Sequence, residues 1–411
     1  MLEQLQLRIE MTLELNQVAP QVKAMGQSLD KQITARKAAA EEARTLLTHF
    51  SSEFSALTER IARAERIQAK QRFDWVGAAP TSEALAQSYP LPPCPEQVTV
   101  IASDGSQILP DRHGITLYYL INVGSIIYRH GSNRKPEAYN PTPLLCYDPE
   151  ELFDMQGQLI SAGEVNVKRD IAEVAVLTEL AARNAGSSEP IITLIDGQLT
   201  LRVIDLPFDQ QQKRQDDYIA LLNNLRESGA LIAGYIDRPR STFVVALLHL
   251  ASLEPDTLTE EALRYNPFRH LTDTDLFDFL GPGERSAIFA VRAKGTEKYE
   301  YAGHSIHFFY LNVSLNPAAP NLVRVEAPAW LVNDSPALDC LHAAIVRQAR
   351  INGGYPYVLA RAHELAIISS EERQAVEVML AVEMRRQGLT PALSAKQFNK
   401  TLLAGRESFR L

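Results

Sequence analysis

Between residues 27 and 72 the chain carries neither proline nor glycine. Within this stretch Leu46, Leu47, Phe50, Phe54, Leu57, Ile61, Ala64 and Ile67 recur at spacings of three to four after the first pair. That is the period of one helix face. Glu41, Glu42, Arg44, Glu59, Arg60 and Arg63 supply a mixed-charge outer face. Residues 1–75 are therefore read as a helical arm that packs on the body or on another subunit. Residues 76–96 gather Gly77, Pro80, Pro90, Pro92, Pro93 and Pro95. This is turn chemistry, so they are read as a linker, and residues 97–411 as one further domain.

Past the linker the period shortens. Residues 97–103 and 117–129 are β-branched runs, the second interrupted by Gly124, a possible bulge. Residues 159–167 form a weaker strand candidate. Residues 190–195 (PIITLI) and 230–236 are continuous apolar runs of the kind buried parallel strands show. Helical patterns at 169–183 and 216–228 precede those two runs. Further strands are predicted at 286–292, 305–313 and 321–327, and helices at 336–351, 356–368 and 370–386. Strands that give way to alternating helix and strand predict an α/β fold, a mixed sheet flanked by helices.

Composition narrows the function classes. The hydrophobic fraction of 45% and charged fraction of 22% are those of a globular protein. No apolar run approaches the roughly 20 residues that span a bilayer, so no membrane role is expected. The charged N-terminus does not read as a signal peptide. Cys94, Cys146 and Cys340 lie far apart with no CxxC pair, which argues against a disulfide framework or thiolate zinc site and for a reducing cytoplasm. A net charge of −9 argues against a protein that coats nucleic acid with a generally basic surface, but leaves room for a local basic channel.

The candidate chemistry is acidic. Ser103-Asp104-Gly105-Ser106 and Ile195-Asp196-Gly197-Gln198 each place Asp-Gly after an apolar strand. Ligand sites in open α/β sheets form outside the carboxyl ends of strands. Two carboxylates side by side repel one another, and a divalent cation such as Mg²⁺ or Mn²⁺ removes that cost. A third carboxylate is expected from the helix before Asp196. At about 100° per residue, Glu173 falls among Val176, Leu177 and Leu180, whereas Glu179 lies toward Ala172, Ala175 and Arg183; Glu173 is favoured and Glu179 kept as the alternative. On the helix after the turn at 352–357, His363 falls beside Leu359, Ala360, Ala366 and Ile367 and is read as facing inward, either a core histidine or a ligand. Tyr355, in that turn, is a candidate to bind or polarise phosphate. Arg238 and Arg240, around Pro239 after a buried strand, and Arg347 are candidate phosphate contacts.

The blocks SDGSQ (103–107), IDGQL (195–199), GYIDRPR (234–240), GERSAIF (283–289) and GYPYVLARAHELAII (354–368) together resemble the NurA nuclease family, in the family's order, over residues 97–370. The resemblance implies an RNase H-like fold and a two-metal deoxyribonuclease that uses Mn²⁺, with Mg²⁺ possible. It implies 5′–3′ single-strand exonuclease and endonuclease activity in DNA end resection and repair. It also implies a homodimer that works with a HerA-type hexameric ATPase. Carried over by residue, Asp104, Glu173 (or Glu179), Asp196 and His363 would hold metal, and Tyr355 would join them in catalysis. Gln198 and Asp237 depart from the family pattern. Two other readings compete: a DNA-translocase adaptor with weak or no cleavage, and an actin- or sugar-kinase-like phosphotransferase, which would need a second domain of the same topology.

Overall fold

The computed structural model describes residues 14–70, 73–154 and 157–389. The first 13 residues of the expected arm and the last 22 of the expected nuclease domain lie outside the described residues.

The arm folds as two helices, α1 (Leu15–His49) and α2 (Phe54–Lys70). The predicted apolar stripe holds: Leu47, Phe50, Leu57, Ile61 and Ala64 are buried in one core with α6 (Phe243–Ser252), introduced below. The break between α1 and α2 comes without glycine or proline. Ser51 makes it, its carbonyl accepting from Leu85 N and its hydroxyl from Ala86 N. The N-terminal part of α1 leaves Leu15, Val22, Met25, Leu29 and Ile33 exposed. The stretch expected as a linker is not free of structure, because β1 (Gly77–Pro80) within it is an edge strand of the sheet.

Next come β2 (Val98–Ile108), β3 (Tyr119–His130), β4 (Glu137–Tyr139), β5 (Leu144–Cys146) and the short α3 (Pro149–Leu152). Then α4 (Ala162–Asn184), β6 (Ile191–Asp196), α5 (Phe208–Glu227), β7 (Leu231–Ile236) and α6 alternate. The rest is α7 (Glu260–Arg264), β8 (Phe289–Arg292), α8 (Glu297–Tyr301), β9 (Ile306–Asn312), β10 (Leu322–Pro328), α9 (Ala329–Val332), α10 (Ser335–Ile351), α11 (Tyr357–Ala366) and α12 (Ser370–Arg386).

All ten strands join one mixed sheet, in the order β1-β8-β9-β10-β7-β6-β2-β3-β4 with β5 also on β3. Strands β2, β6 and β7 are parallel, and β3 and β10 flank them antiparallel. In chain order, β2 to β7 therefore give a hairpin pair followed by two parallel crossovers, the arrangement the RNase H-like expectation calls for. Among the described residues there is no second sheet, as a two-domain phosphotransferase would need. Helices α4 and α5 bury Val174, Leu177, Leu180, Leu222 and Leu225 against Ile101 of β2 and Ile195 of β6. The other face takes α10 and α11, with Leu341, Ile345, Val358 and Leu359 against Val100, Ala102 and Leu194.

Two strand expectations are corrected. Residues 159–167 are not a strand: α4 begins there, with the Ser161 hydroxyl accepting from Glu164 N, a cap that overrides the weak β pattern. Gly124 is not a bulge, since β2 and β3 pair without a break through Asp104↔Gly124. A Cβ at Gly124 would sit 2.5 Å from Ala366 N and Leu365 C. Glycine is there so that the backbone of α11 can lie directly on β3.

Candidate active site

The site forms where β6 stops and β2 runs on. The parallel register ends at Ser103↔Ile195, so the next step brings Asp104 and Asp196 abreast. Asp104 thus lies inside β2 rather than at its end. Side chains alternate across a strand. Ala102 and Leu194 face α10 and α11, and Asp104 and Asp196 share that direction. Ser103 faces the other way, its hydroxyl donating to Glu173 O on α4.

On the α11 side the expected partners arrive. The Tyr355 hydroxyl donates to Asp196 Oδ2 at 2.9 Å. His363 Nδ1 lies 2.6 Å from Asp104 Oδ2. His363 does not face inward: its side chain is 61% exposed. The buried face of α11 is Val358, Leu359, Ala362 and Ala366, and His363 sits beside that stripe at the mouth of the site. Ala366 O, at the last turn of α11, accepts from Ser106 Oγ and Asn122 Nδ2, which fixes the helix end over β2 and β3. Tyr235, buried on β7, meets the Tyr355 ring edge-on at 5.4 Å, and its hydroxyl has no hydrogen-bond partner.

On the α4 side, Glu173 reaches the same place from behind the sheet. Gly105 faces it, and a Cβ there would lie 2.6 Å from both Glu173 Oε1 and Arg169 Cγ. The missing side chain is the window through which α4 contributes. Glu179 stays outside, paired with Arg183 and accepting from the Tyr139 hydroxyl. Asp104, Asp170, Glu173 and Asp196 line one cavity of about 300 Å³, together with Arg169, Gln198, Arg202 and Tyr218.

This cavity is short of positive charge. Burial pushes Glu173 well above the ordinary carboxylate range, and repulsion from Asp170, Asp104 and Asp196 adds to it against the pull of Arg169. Asp196 is raised by burial and by Asp104 and Asp237, despite the Tyr355 hydrogen bond. Asp170 is raised by burial against the pull of Arg169. Burial and the neighbouring Asp196 hold the Tyr355 hydroxyl protonated far above its usual range. An all-oxygen, electron-rich donor set of this kind suits a hard divalent cation. As the side chains stand, however, no three His, Cys, Asp or Glu groups among the described residues converge to hold one. The chemistry of the donors fits and their arrangement does not yet.

The arginines fare differently. Arg347 Nη1 donates to Pro95 O and Glu96 O, so it ties α10 to the segment before β2 and is not in the cavity. Arg238 and Arg240 are exposed beyond β7, outside the cavity lining. Arg238 has a φ of +44° and its Nε is 3.8 Å from Asp237 Oδ2. Sequence reasoning missed Asp170. Asp170 stands three positions before Glu173, the spacing that shares a helix face, and that relation was the available signal.

A family model described as NurA domain matches residues 98–368 of the 411. Among solved structures, one described as "Crystal structure of NurA" is similar at 13% identity with a TM-score of 0.35, over 70% of this chain and 89% of that one. No curated protein matches the chain. No helix among the described residues is long and apolar enough to cross a membrane. With its matched span running from β2 through α11 and so containing every carboxylate of the cavity, the chain belongs to the NurA family of nucleases.

Proposed function

We propose that the chain is a Mn²⁺-dependent deoxyribonuclease, able to use Mg²⁺, that trims single-stranded DNA 5′–3′ and also cuts internally. The observation that carries the reading is the meeting of Asp104, Asp196 and Glu173 from two layers in one under-neutralised cavity, with Tyr355 on Asp196 and His363 on Asp104. Asp104, Asp196, Glu173 and His363 would hold the metal, which would supply a water of lowered pKa and neutralise the leaving oxygen. Tyr355, whose single O–H proton rests on Asp196, would turn that proton to a phosphate oxygen when a metal takes the Asp196 carboxylate. His363 is solvent-accessible and meets Asp104 at the cavity mouth. Arg238 and Arg240 would meet the strand farther out.

The division into an arm (1–75), a linker (76–96) and a nuclease domain (97–411) belongs to this proposal. So do homodimerisation, partnership with a HerA-type hexameric ATPase in DNA end resection, and a cytoplasmic location. The adaptor reading draws on the same cavity, where Glu173 is paired with Arg169 and no three donors converge among the described residues. One assay separates the two: 5′-labelled single-stranded DNA incubated with Mn²⁺, with chelator as control. Wild type should degrade the strand, and Asp104→Ala should not while remaining folded by circular dichroism. Undiminished cleavage by the variant would falsify the assignment, and inactivity of the wild type would favour the adaptor.

A further inference from the structure

A guanidinium stands among the carboxylates of the cavity. Arg169 Nε lies 3.1 Å from Glu173 Oε1. The same group reaches Asp170 Oδ1 through Nε at 3.2 Å and Nη2 at 2.6 Å, and Nη1 donates to Gln107 Oε1 at 3.0 Å. Gln107 is itself oriented, its Nε2 donating to Asn166 Oδ1 at 2.8 Å. The grip is uneven. Asp170 is met by Nε and Nη2 and Gln107 by Nη1, whereas Glu173 is met only by Nε, which it shares with Asp170. A planar fork suits this shared holding, and an ammonium would not manage it.

Resting on the metal-nuclease reading, we propose that Arg169 is a resident counter-cation for the metal site. Without a divalent ion it holds Glu173 against the repulsion of its neighbours. When an ion arrives it gives up Glu173 and stays anchored on Asp170 and Gln107. Three features support this. The four carboxylates of the cavity face only two guanidinium groups, and Arg169 alone is bonded to any of them. Gly105 leaves the space in which the Arg169 stem and the Glu173 carboxyl lie side by side. The pair is also one helical turn apart on α4, so releasing Glu173 needs only a side-chain rotation.

The test uses the full chain as wild type, Arg169→Gln and Arg169→Lys. Mn²⁺ binding is read by calorimetry, and melting is followed in chelator and in saturating Mn²⁺. If Arg169 competes with the ion, Arg169→Gln melts lower in chelator, shows a larger Mn²⁺-induced rise, and binds Mn²⁺ about fivefold more tightly. Equal destabilisation with and without Mn²⁺ at unchanged affinity would make Arg169 a structural pair and overturn the proposal, as would weaker binding. Should Arg169→Gln fail to fold, Arg169→Lys keeps the charge but not the fork and should still bind Mn²⁺ about twofold more tightly; unchanged or weaker binding overturns the idea. No Mn²⁺ binding by the wild type would overturn the metal-site reading, and this one with it.

Discussion

Two places in this molecule gather carboxylates, and they treat them in opposite ways. Beneath the arm, Asp273 is fully buried and accepts from Phe243 N and Val245 N, both at 2.9 Å, and from the Tyr310 hydroxyl at 2.7 Å. It is a remote cap for α6, whose own preceding residue Thr242 makes no side-chain cap. Nearby, Glu326 pairs with Arg324 at 2.6 Å and accepts from Leu199 N. In the α4 cavity, by contrast, only Asp170 and Glu173 of the four carboxylates are bonded to an arginine. A buried acid surrounded by donors secures a fold. Buried acids left facing one another are poised to take a ligand.

The contrast can be broken experimentally, and the largest effect should come from the cavity. Asp196→Asn should cost about 10³-fold or more in Mn²⁺-dependent cleavage of single-stranded DNA, yet leave the chelated protein as stable as wild type or more so. A variant that unfolds would place Asp196 with the structural acids instead. Asp273→Ala should do the reverse. Orphaning the amides of Phe243 and Val245, and leaving the Tyr310 hydroxyl with Ser241 alone, should cost about 3 kcal/mol in denaturant unfolding, while the folded fraction cleaves at the wild-type rate.

Gly124→Ala joins the two behaviours. Its Cβ would meet backbone rather than a yielding side chain, so it should lose about 2 kcal/mol and cleave poorly because α11 carries His363. Full activity would show that the α11 contact is not what positions the histidine. A smaller effect is expected from Tyr355→Phe, about a tenfold loss in turnover with a melting temperature close to wild type.

The smallest effect is in pH. Glu173, Asp196 and Asp170 hold protons more tightly when folded than when unfolded. Their contribution to stability is complete below the ordinary carboxylate range and is lost as pH rises through their raised values. In chelator, melting should therefore rise as pH falls from the alkaline side toward the ordinary carboxylate range, and Glu173→Gln should flatten that rise. His130 and His342, each pushed down to about 4 by burial, act in the other direction. They cost stability only as pH falls from about 6.5 toward 4. A flat profile above pH 6.5 would mean that the cavity is neutralised without metal.

What was legible in the sequence follows from how local each signal is. Asp104 and Asp196 stood out because an apolar run followed by Asp-Gly is written within a few residues. Glu173 was separable from Glu179 because helical phase alone tells a buried face from an exposed one, and Tyr139 and Arg183 do keep Glu179 outside. His363 was placed inward because its neighbours in sequence are apolar, but those neighbours fill the stripe next to it. Arg347 looked free because its partners are carbonyls some 250 positions away. Sequence separation also hid the cap of α6, which comes from Asp273 some 30 positions on, and the role of Gly124, whose partner is α11. Asp170 joins the site through Arg169, which it shares with Glu173 beside the gap at Gly105.

One consequence of the short β6 concerns amide exchange. From Asp104 to Ile108 strand β2 pairs with β3 on one side and has no strand on the other among the described residues. Amides along this stretch should divide by alternate residue into slow and fast exchangers with deuterium, because only every second N–H points into the β3 ladder. A strand of DNA lying over the carboxylates would shelter the fast half first. One peptide covering 104–108 would then report occupancy of the site in an inactive variant, without any cleavage being needed.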